Sequence, residues 1–413
     1  MQVVYARCAG LDVRKKTVSA CISVCEVNGV KHQQTRAFGT FTQDLLKLAD
    51  WLKEHGVTHV AMEATGVYWR PVWAMLEGHF EQMLVNPHHI KAVPGRKTDT
   101  KDCEWIADLL QHGLLKGSFV PATPIQDLRD LTRYRAELRQ SQNRVANRIQ
   151  KLLEQANVKL SSVASDTLGV SGRHMLEAII AGQDDPQQLA QLARGQLKKK
   201  IPQLQQALAG RVREHHRFLL AEYLDEWDVL EERIRRIESE IDTRVRPFES
   251  AVTLWQTVPG VDRVTACSLV AEIGVEMKQF PTAQHLASWA ALCPGNHESA
   301  GKRKSGKTRD GNKWLRRSLC QAAWAASRKK DCYLAAQFKR LAARRGLKRA
   351  LMAVAHTVLI IIGYYILKNG EGYRELGARY LEQSHKDQLQ RYFVKRLQHL
   401  GLRVSLEPVS TAA

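Results

Sequence analysis

The β-rich runs of this chain all fall within its first 85 residues, and their order leaves few folds open. Val3 to Asp12 (VVYARCAGLD) and Thr17 to Val27 (TVSACISVCEV) are joined by a short Arg14-Lys15-Lys16 turn, which predicts a hairpin, with Gln34 to Phe38 as a third strand. Gln43 to His55 then sets Leu45, Leu46, Leu48, Ala49 and Leu52 at helical spacing. Two further strands, Val57 to Glu63 and Glu81 to Val85, flank a helix around Tyr68 to Leu76.

Three consecutive strands, then helix, strand, helix, strand, is the order of an RNase H-like fold, so residues 1–120 read as an α/β domain. The remainder reads as α. Leu131, Leu138, Val145 and Leu152 recur every seven residues. Leu220, Trp227, Ile234 and Ile241 do the same, with Tyr223, Leu230 and Ile237 in the alternate seam positions. That a/d pattern predicts an oligomerising coiled coil within residues 121–250; the plainer alternative is an amphipathic hairpin packed on its own domain. Residues 161–210 read as an insertion without chemistry.

A compact helical domain is expected over residues 251–385, with residues 386–413 as a tail. Leu254 to Gly274 (LWQTVPGVDRVTACSLVAEIG) reads as a helix-hairpin-helix whose turn, Pro259-Gly260-Val261, offers backbone N–H groups to a phosphate. A simple αα turn capped by Gly260 competes with that reading. Val354 to Leu367 is the most apolar segment, but 14 residues fall short of the roughly 20 a bilayer requires, so it reads as a core helix and no membrane partner is expected.

With 413 residues, 44% hydrophobic and 25% charged, the chain has globular composition and length for two or three domains, which excludes wholesale disorder. Its eight cysteines contain no CxxC pair, and the opening MQVVYARCAG lacks a long apolar stretch. Free thiols in a reducing cytosol are the expectation. The net charge of +20 is uneven: +1 over residues 1–110, +3 over 111–250 and +16 over 251–413. Lys302 to Arg349 holds 17 basic residues against Asp310 and Asp331. So concentrated a cationic run gains affinity for polyanions by releasing counterions, which points to nucleic acid. Lys302, Arg303, Lys304, Lys307, Arg309, Lys313, Arg316 and Arg317 are the candidate phosphate contacts.

Four carboxylates stand out. Asp12 (GLDVRKK) and Glu63 (MEATGVYW) end strands, where an α/β sheet opens its crevice, and Asp99 and Asp102 (TDTKD) lie three apart at the start of a helix, Asp102 to Gln111. Four converging carboxylates repel unless divalent cations neutralise them, and hard oxygen ligands suit Mg²⁺ or Mn²⁺. Two such ions roughly 4 Å apart promote phosphodiester displacement. Each residue also has an ordinary use: a turn for Asp12, an ion pair with Arg70 for Glu63, a cap for Asp99 and the helix dipole for Asp102. Glu104 and Asp108 read as solvated.

Leu292 to Lys307 (LCPGNHESAGKRKSGK) reads as a flexible loop. Ser299 lies in it beside Glu298 and near Gly301, which is followed by Lys302, Arg303 and Lys304, cationic residues of the kind that spread charge in a phosphoryl transition state. Ser305 is a competing nucleophile, and His297 reads as a loop polar group.

GLDVRKKT, MEATGVYW, TDTKD, VPGV and CPGNHESAGKRKSGKTRDGNKWLRR together resemble the IS110 class of bacterial insertion-sequence transposases, in its IS1111 branch, over all but roughly the last 30 residues. The resemblance implies a RuvC-like DEDD domain, a coiled coil and a transposase domain with a nucleophilic serine. It implies recombination of donor and target DNA guided by a non-coding bridge RNA, in a tetramer built as a dimer of dimers. It places the DEDD set on Asp12, Glu63, Asp99 and Asp102 and the nucleophile on Ser299, with the carboxylates of one subunit meeting the serine of another. Cys103 stands where the family often has Ala, and Ser299-Ala300-Gly301 replaces the frequent Ser-Gly, as in the IS1111 branch. The expected function is therefore a DNA transposase. The rivals are a RuvC-like metal-dependent junction endonuclease in which water attacks, and a non-enzymatic architectural binder.

Overall fold

The computed structural model describes residues 2–26, 29–87, 102–293, 297–299, 301–305, 308, 311–383 and 386–405. The chain divides into two units, Met1–Pro121 and Ala122–Ala413.

In the first unit, β1 (Arg7–Val13), β2 (Thr17–Cys25) and β3 (Lys31–Gly39) form an antiparallel meander, followed by α1 (Thr42–Glu54), β4 (His59–Glu63), α2 (Trp69–Leu76), β5 (Glu81–Val85), α3 (Asp102–Gln111) and β6 (Gly117–Ser118). The sheet order is β3-β2-β1-β4-β5-β6, with β4 parallel to β1, β5 parallel to β4, and β6 antiparallel on β5. The five expected strands are all present. β6 escaped the sequence because two residues carry no periodicity.

Alternation along β1 assigns the two faces. Ala9, Leu11 and Val13 pack with Leu45, Leu48 and Leu52 of α1 and Val72 and Leu76 of α2. On the other face Cys8, Ala61 and Val85 pack with Ile106, Leu109 and Leu110 of α3. Each such leucine taken fully from water contributes about 1.5–3 kcal/mol. Gly10 lies beneath α3, where a Cβ would stand 2.3 Å from both the Cys103 carbonyl oxygen and the Ala107 nitrogen, so only glycine admits the helix this close. Cys103 is buried with Cys21 and Ala107, so the cysteine fills the small site under α3.

In the second unit, α4 (Thr123–Gln155) and α5 (Glu214–Arg244) pair as an antiparallel hairpin. Its polarity shows in the ion pairs Arg244–Asp127 at 3.2 Å, Arg135–Glu238 at 2.6 Å and Arg148–Glu226 at 3.2 Å. Leu138, Val145 and Leu152 share a core with Leu220, Leu230 and Ile234. The heptads are thus satisfied within one chain, which corrects the expectation of an oligomerising seam: the same periodicity serves an intramolecular partner as well as a second copy. Gln142 is buried in this seam, its amide donating to Glu231 at 2.6 Å and accepting from Arg139 at 2.6 Å, a polar cluster that fixes the register. Residues 161–210 fold as short helices whose Met175, Leu176, Leu189 and Leu204 extend the same core.

The predicted hairpin around VPGV is present as α6 (Glu249–Gln256) and α7 (Arg263–Ile273). There follow α8 (Ala283–Trp289), a two-stranded ribbon of β7 (His297–Ser299) and β8 (Lys302–Ser305), α9 (Lys313–Ala326) and α10 (Tyr333–Arg345). The apolar segment is longer than expected: Leu347–Asn369, 23 residues with mean hydropathy 2.1, is long and apolar enough to cross a membrane. Its most apolar window is 65% buried in the unit, so it serves as the core helix α11. Gly363 of α11 lies against Trp255, whose ring leaves a Cβ only 2.0 Å from its Cη2.

Candidate active site

Asp12 and Glu63 are neighbours by construction. β1 and β4 run parallel and pair through Leu11 and Met62, so Asp12 and Glu63 occupy the next step on adjacent strands and share the face of Gly10 and Ala61, which is the α3 face. α3 runs opposite to β1: its C-terminal Gln111 accepts from the N–H groups of Val4 and Tyr5, while Cys103 lies over Gly10. Asp102, the first residue of α3, is therefore at the same end of the sheet as the two strand-end acids. Asp99 lies outside the described residues.

The Asp12 side chain is 12% exposed and holds Arg14, whose Nε and Nη2 donate to Oδ2 at 3.0 and 2.9 Å. The Arg14 N–H also donates to the Thr17 carbonyl at 2.9 Å, closing the β1–β2 turn. The sequence showed Arg14 only as a turn residue. Its place two residues after Asp12, just past the end of β1, was the available signal. Glu63 is half-buried and accepts from the Thr65 hydroxyl at 3.4 Å. Among the described residues no three His, Cys, Asp or Glu side chains are grouped closely enough to hold one metal ion. The donor chemistry nevertheless fits a hard cation: carboxylate oxygens alone, at one end of one face. Glu104 and Asp108 are not simply solvated. Thr35 donates to Glu104 at 3.2 Å and Lys31 pairs with Asp108 at 2.5 Å, fastening β3 to α3.

In the second unit, Ser299 ends β7 and pairs with Lys302 of β8 across a tight turn in which Gly301 has φ +73°. The stretch expected as a flexible loop thus contains a hairpin, and Lys302, Arg303 and Lys304 form its second strand. Lys307 and Arg309 lie outside the described residues. The base of this excursion is tightly held: a Cβ on Gly311 would stand 2.3 Å from the Ala291 Cβ, and Arg316 Nη2 donates to the Ala291 carbonyl at 3.0 Å. Arg316 therefore spends its guanidinium partly inside the fold. Asn312 caps α9, accepting from Trp314 and Leu315 N–H groups, while its amide donates to Glu272 at 2.5 Å. Glu272, 2% exposed, also receives both arms of Arg133 at 2.7 and 2.8 Å. Sequence reasoning missed this Arg133–Glu272–Asn312 clamp, because its members lie on three separate helices.

Pro259 and Val261 are buried, and Gly260, at φ +85°, would place a Cβ 2.3 Å from the Ala322 carbonyl oxygen. The turn packs against α9, and Asp262 caps α7 by accepting from the Thr265 N–H at 2.8 Å. Lys313 is exposed beside the Trp314 ring at 5.2 Å, and Arg317 is half-buried.

Buried thiols are inert here. Burial pushes Cys8 up to about 12 and Cys103 and Cys267 up to about 11.

Two family models match the chain: a DEDD-type IS110 transposase model over residues 9–158, and a "Transposase IS116/IS110/IS902 family" model over residues 252–340. A "Probable family 20 transposase" of Pseudomonas aeruginosa is 26% identical over 324 residues, covering 77% of this chain and 83% of its own. The transposase for insertion sequence element IS1111A of Coxiella burnetii is 28% identical over 302 residues, covering 70% and 72%. The pilin gene-inverting protein of Moraxella bovis is 23% identical over 376 residues, covering 87% and 95%. The first model spans the carboxylate-bearing sheet and the second spans the serine hairpin. Together they define a transposase, an enzyme that cuts and joins DNA. The chain belongs to the IS110 class of these enzymes.

Proposed function

We propose that this transposase cuts and rejoins DNA at a composite site made from an RNase H-like DEDD set in residues 1–120 and Ser299 in the C-terminal transposase domain, residues 251–385. The observation that carries the reading is the shared register of Asp12 and Glu63, with the Asp102 end of α3 closing over the same strand ends. Asp12, Glu63, Asp99 and Asp102 would hold Mg²⁺ or Mn²⁺. Such an ion would supply charge neutralisation at the scissile phosphate.

The Ser299 oxygen attacks phosphorus, a phosphoserine ester forms, and the P–O bond to a deoxyribose oxygen breaks, that oxygen leaving as a hydroxyl with the proton the serine gives up; attack by the hydroxyl of an exchanged strand reverses these bonds. Lys302, Arg303 and Lys304 follow Ser299 on the hairpin and offset the phosphate charge, while Lys307, Arg309, Lys313, Arg316 and Arg317 continue the cationic stretch. A bridge RNA chooses donor and target by base pairing, and the working form is a tetramer. With the hairpin seam satisfied within the chain, subunits assemble through other surfaces.

Asp12→Asn tests the acidic half. The variant should keep the wild-type melting temperature and lose strand cleavage by about 10²–10³-fold, as should the wild type under a chelator. Undiminished cleavage in both would contradict a metal-dependent acidic site.

A further inference from the structure

The hairpin helix α4 and the C-terminal helices α7 and α9 enclose a cavity of about 470 Å³. Each helix turns a polar stripe toward it: Arg139 and Asn143 from α4, Thr265 and Ser268 from α7, Arg317 and Gln321 from α9. Four guanidinium groups line it, those of Arg133, Arg135, Arg139 and Arg317, against two carboxylates, Asp262 and Glu272. Both acids are engaged, Glu272 by Arg133 and Asn312 and Asp262 by the α7 N–H.

Arg317 differs from the other three arginines. Those pair with Glu272, Glu238 and Glu231, whereas Arg317 Nη1 is sealed from solvent and has no hydrogen-bond partner among the described residues. Asn143 and Gln321 are exposed at the same cavity, and neither side chain has a hydrogen-bond partner among the described residues. A guanidinium stays protonated at any physiological pH, and leaving one of its buried donors unpaired costs more than a neutral orphan does. An anion in the cavity meets the part of the half-buried Arg317 side chain that lines it and the two exposed amides at the rim, and its charge offsets the unpaired guanidinium at short range.

We infer that this cavity binds a phosphodiester of a nucleic-acid strand, held by Arg317 with Asn143 and Gln321. The inference rests on the DNA-acting reading above and extends it to α4, outside the basic segment. DNA and RNA share the chemistry.

The test is binding of the full-length protein to fluorescent single-stranded DNA, duplex DNA and RNA of one sequence, titrated between about 50 and 200 mM salt. Arg317→Gln should raise Kd roughly tenfold and reduce the salt slope by about one. Asn143→Asp and Gln321→Glu, at exposed positions that fold without them, should weaken the same probe by repelling its phosphate, and the probe affected names the source. If the wild type binds and all three variants bind equally well, the cavity proposal fails and the transposase reading stands. Loss in Arg317→Gln alone also overturns it, since Arg317 then acts through the fold. A wild type that binds none of the probes overturns both.

Discussion

Gly10 of β1 and Ala107 of α3 meet at a distance no side chain tolerates: a Cβ on Gly10 would stand 2.3 Å from the Ala107 backbone nitrogen. This contact sets how closely α3, and with it Asp102, settles onto the strands that end in Asp12 and Glu63. Gly10→Ala should therefore cost about 1–3 kcal/mol in urea denaturation, as overpacking does, and should lower strand cleavage beyond what stability explains. Wild-type stability in this variant would mean that α3 is not seated as described.

The clamp under α9 is energetically separate. Glu272→Ala leaves the half-buried Arg133 without its partner and frees the Asn312 amide, so a loss of about 1.5–3 kcal/mol is expected from denaturation. Exchange to Met should cost less, because it fills the volume that Ala leaves empty. Equal stability of the Ala variant and the wild type would contradict the clamp.

Acid should act through the core helix. Burial holds His356 below its usual 6.5, so the folded protein keeps it neutral where the unfolded chain takes a proton. The unfolded state then binds more protons at pH below about 6.5, and stability falls as pH drops from there toward the depressed folded value. Melting temperatures between pH 7.5 and pH 5.5 should decline less steeply in His356→Gln than in the wild type. Parallel profiles would place the acid sensitivity elsewhere.

Composite assembly predicts complementation. Asp12→Asn and Ser299→Ala, each inactive alone, should recover strand transfer when mixed and allowed to exchange subunits, because an intact serine then meets an intact carboxylate set from another copy. A mixture as inactive as its components would confine both halves to one chain.

Much of the first unit was legible because its physics is local. Alternation fixed β1 and β2, and Glu81 to Val85 and Asp102 to Gln111 were found with the boundaries observed. The heptads were equally visible, but periodicity names a seam without naming its partner, so α4 and α5 closing on each other could not be read from Leu138 or Ile234. Asp12 and Glu63 were legible as strand-end residues and Asp102 as the start of a helix, whereas the Arg14 pairing and the Glu272 clamp depend on neighbours distant in sequence or on register. The serine segment was taken for a loop because Gly, Asn and Ser predominate there; the same Gly301 that suggested flexibility is what turns the ribbon.

The most direct test of the account is denaturing electrophoresis of the protein after reaction with end-labelled donor DNA in Mg²⁺. The wild type should give a labelled protein–DNA adduct that survives denaturation and yields to protease, and Ser299→Ala should give none while still binding the donor. Donor cleavage by Ser299→Ala at the wild-type rate, with no adduct in either protein, would contradict the serine mechanism and leave a water-dependent nuclease.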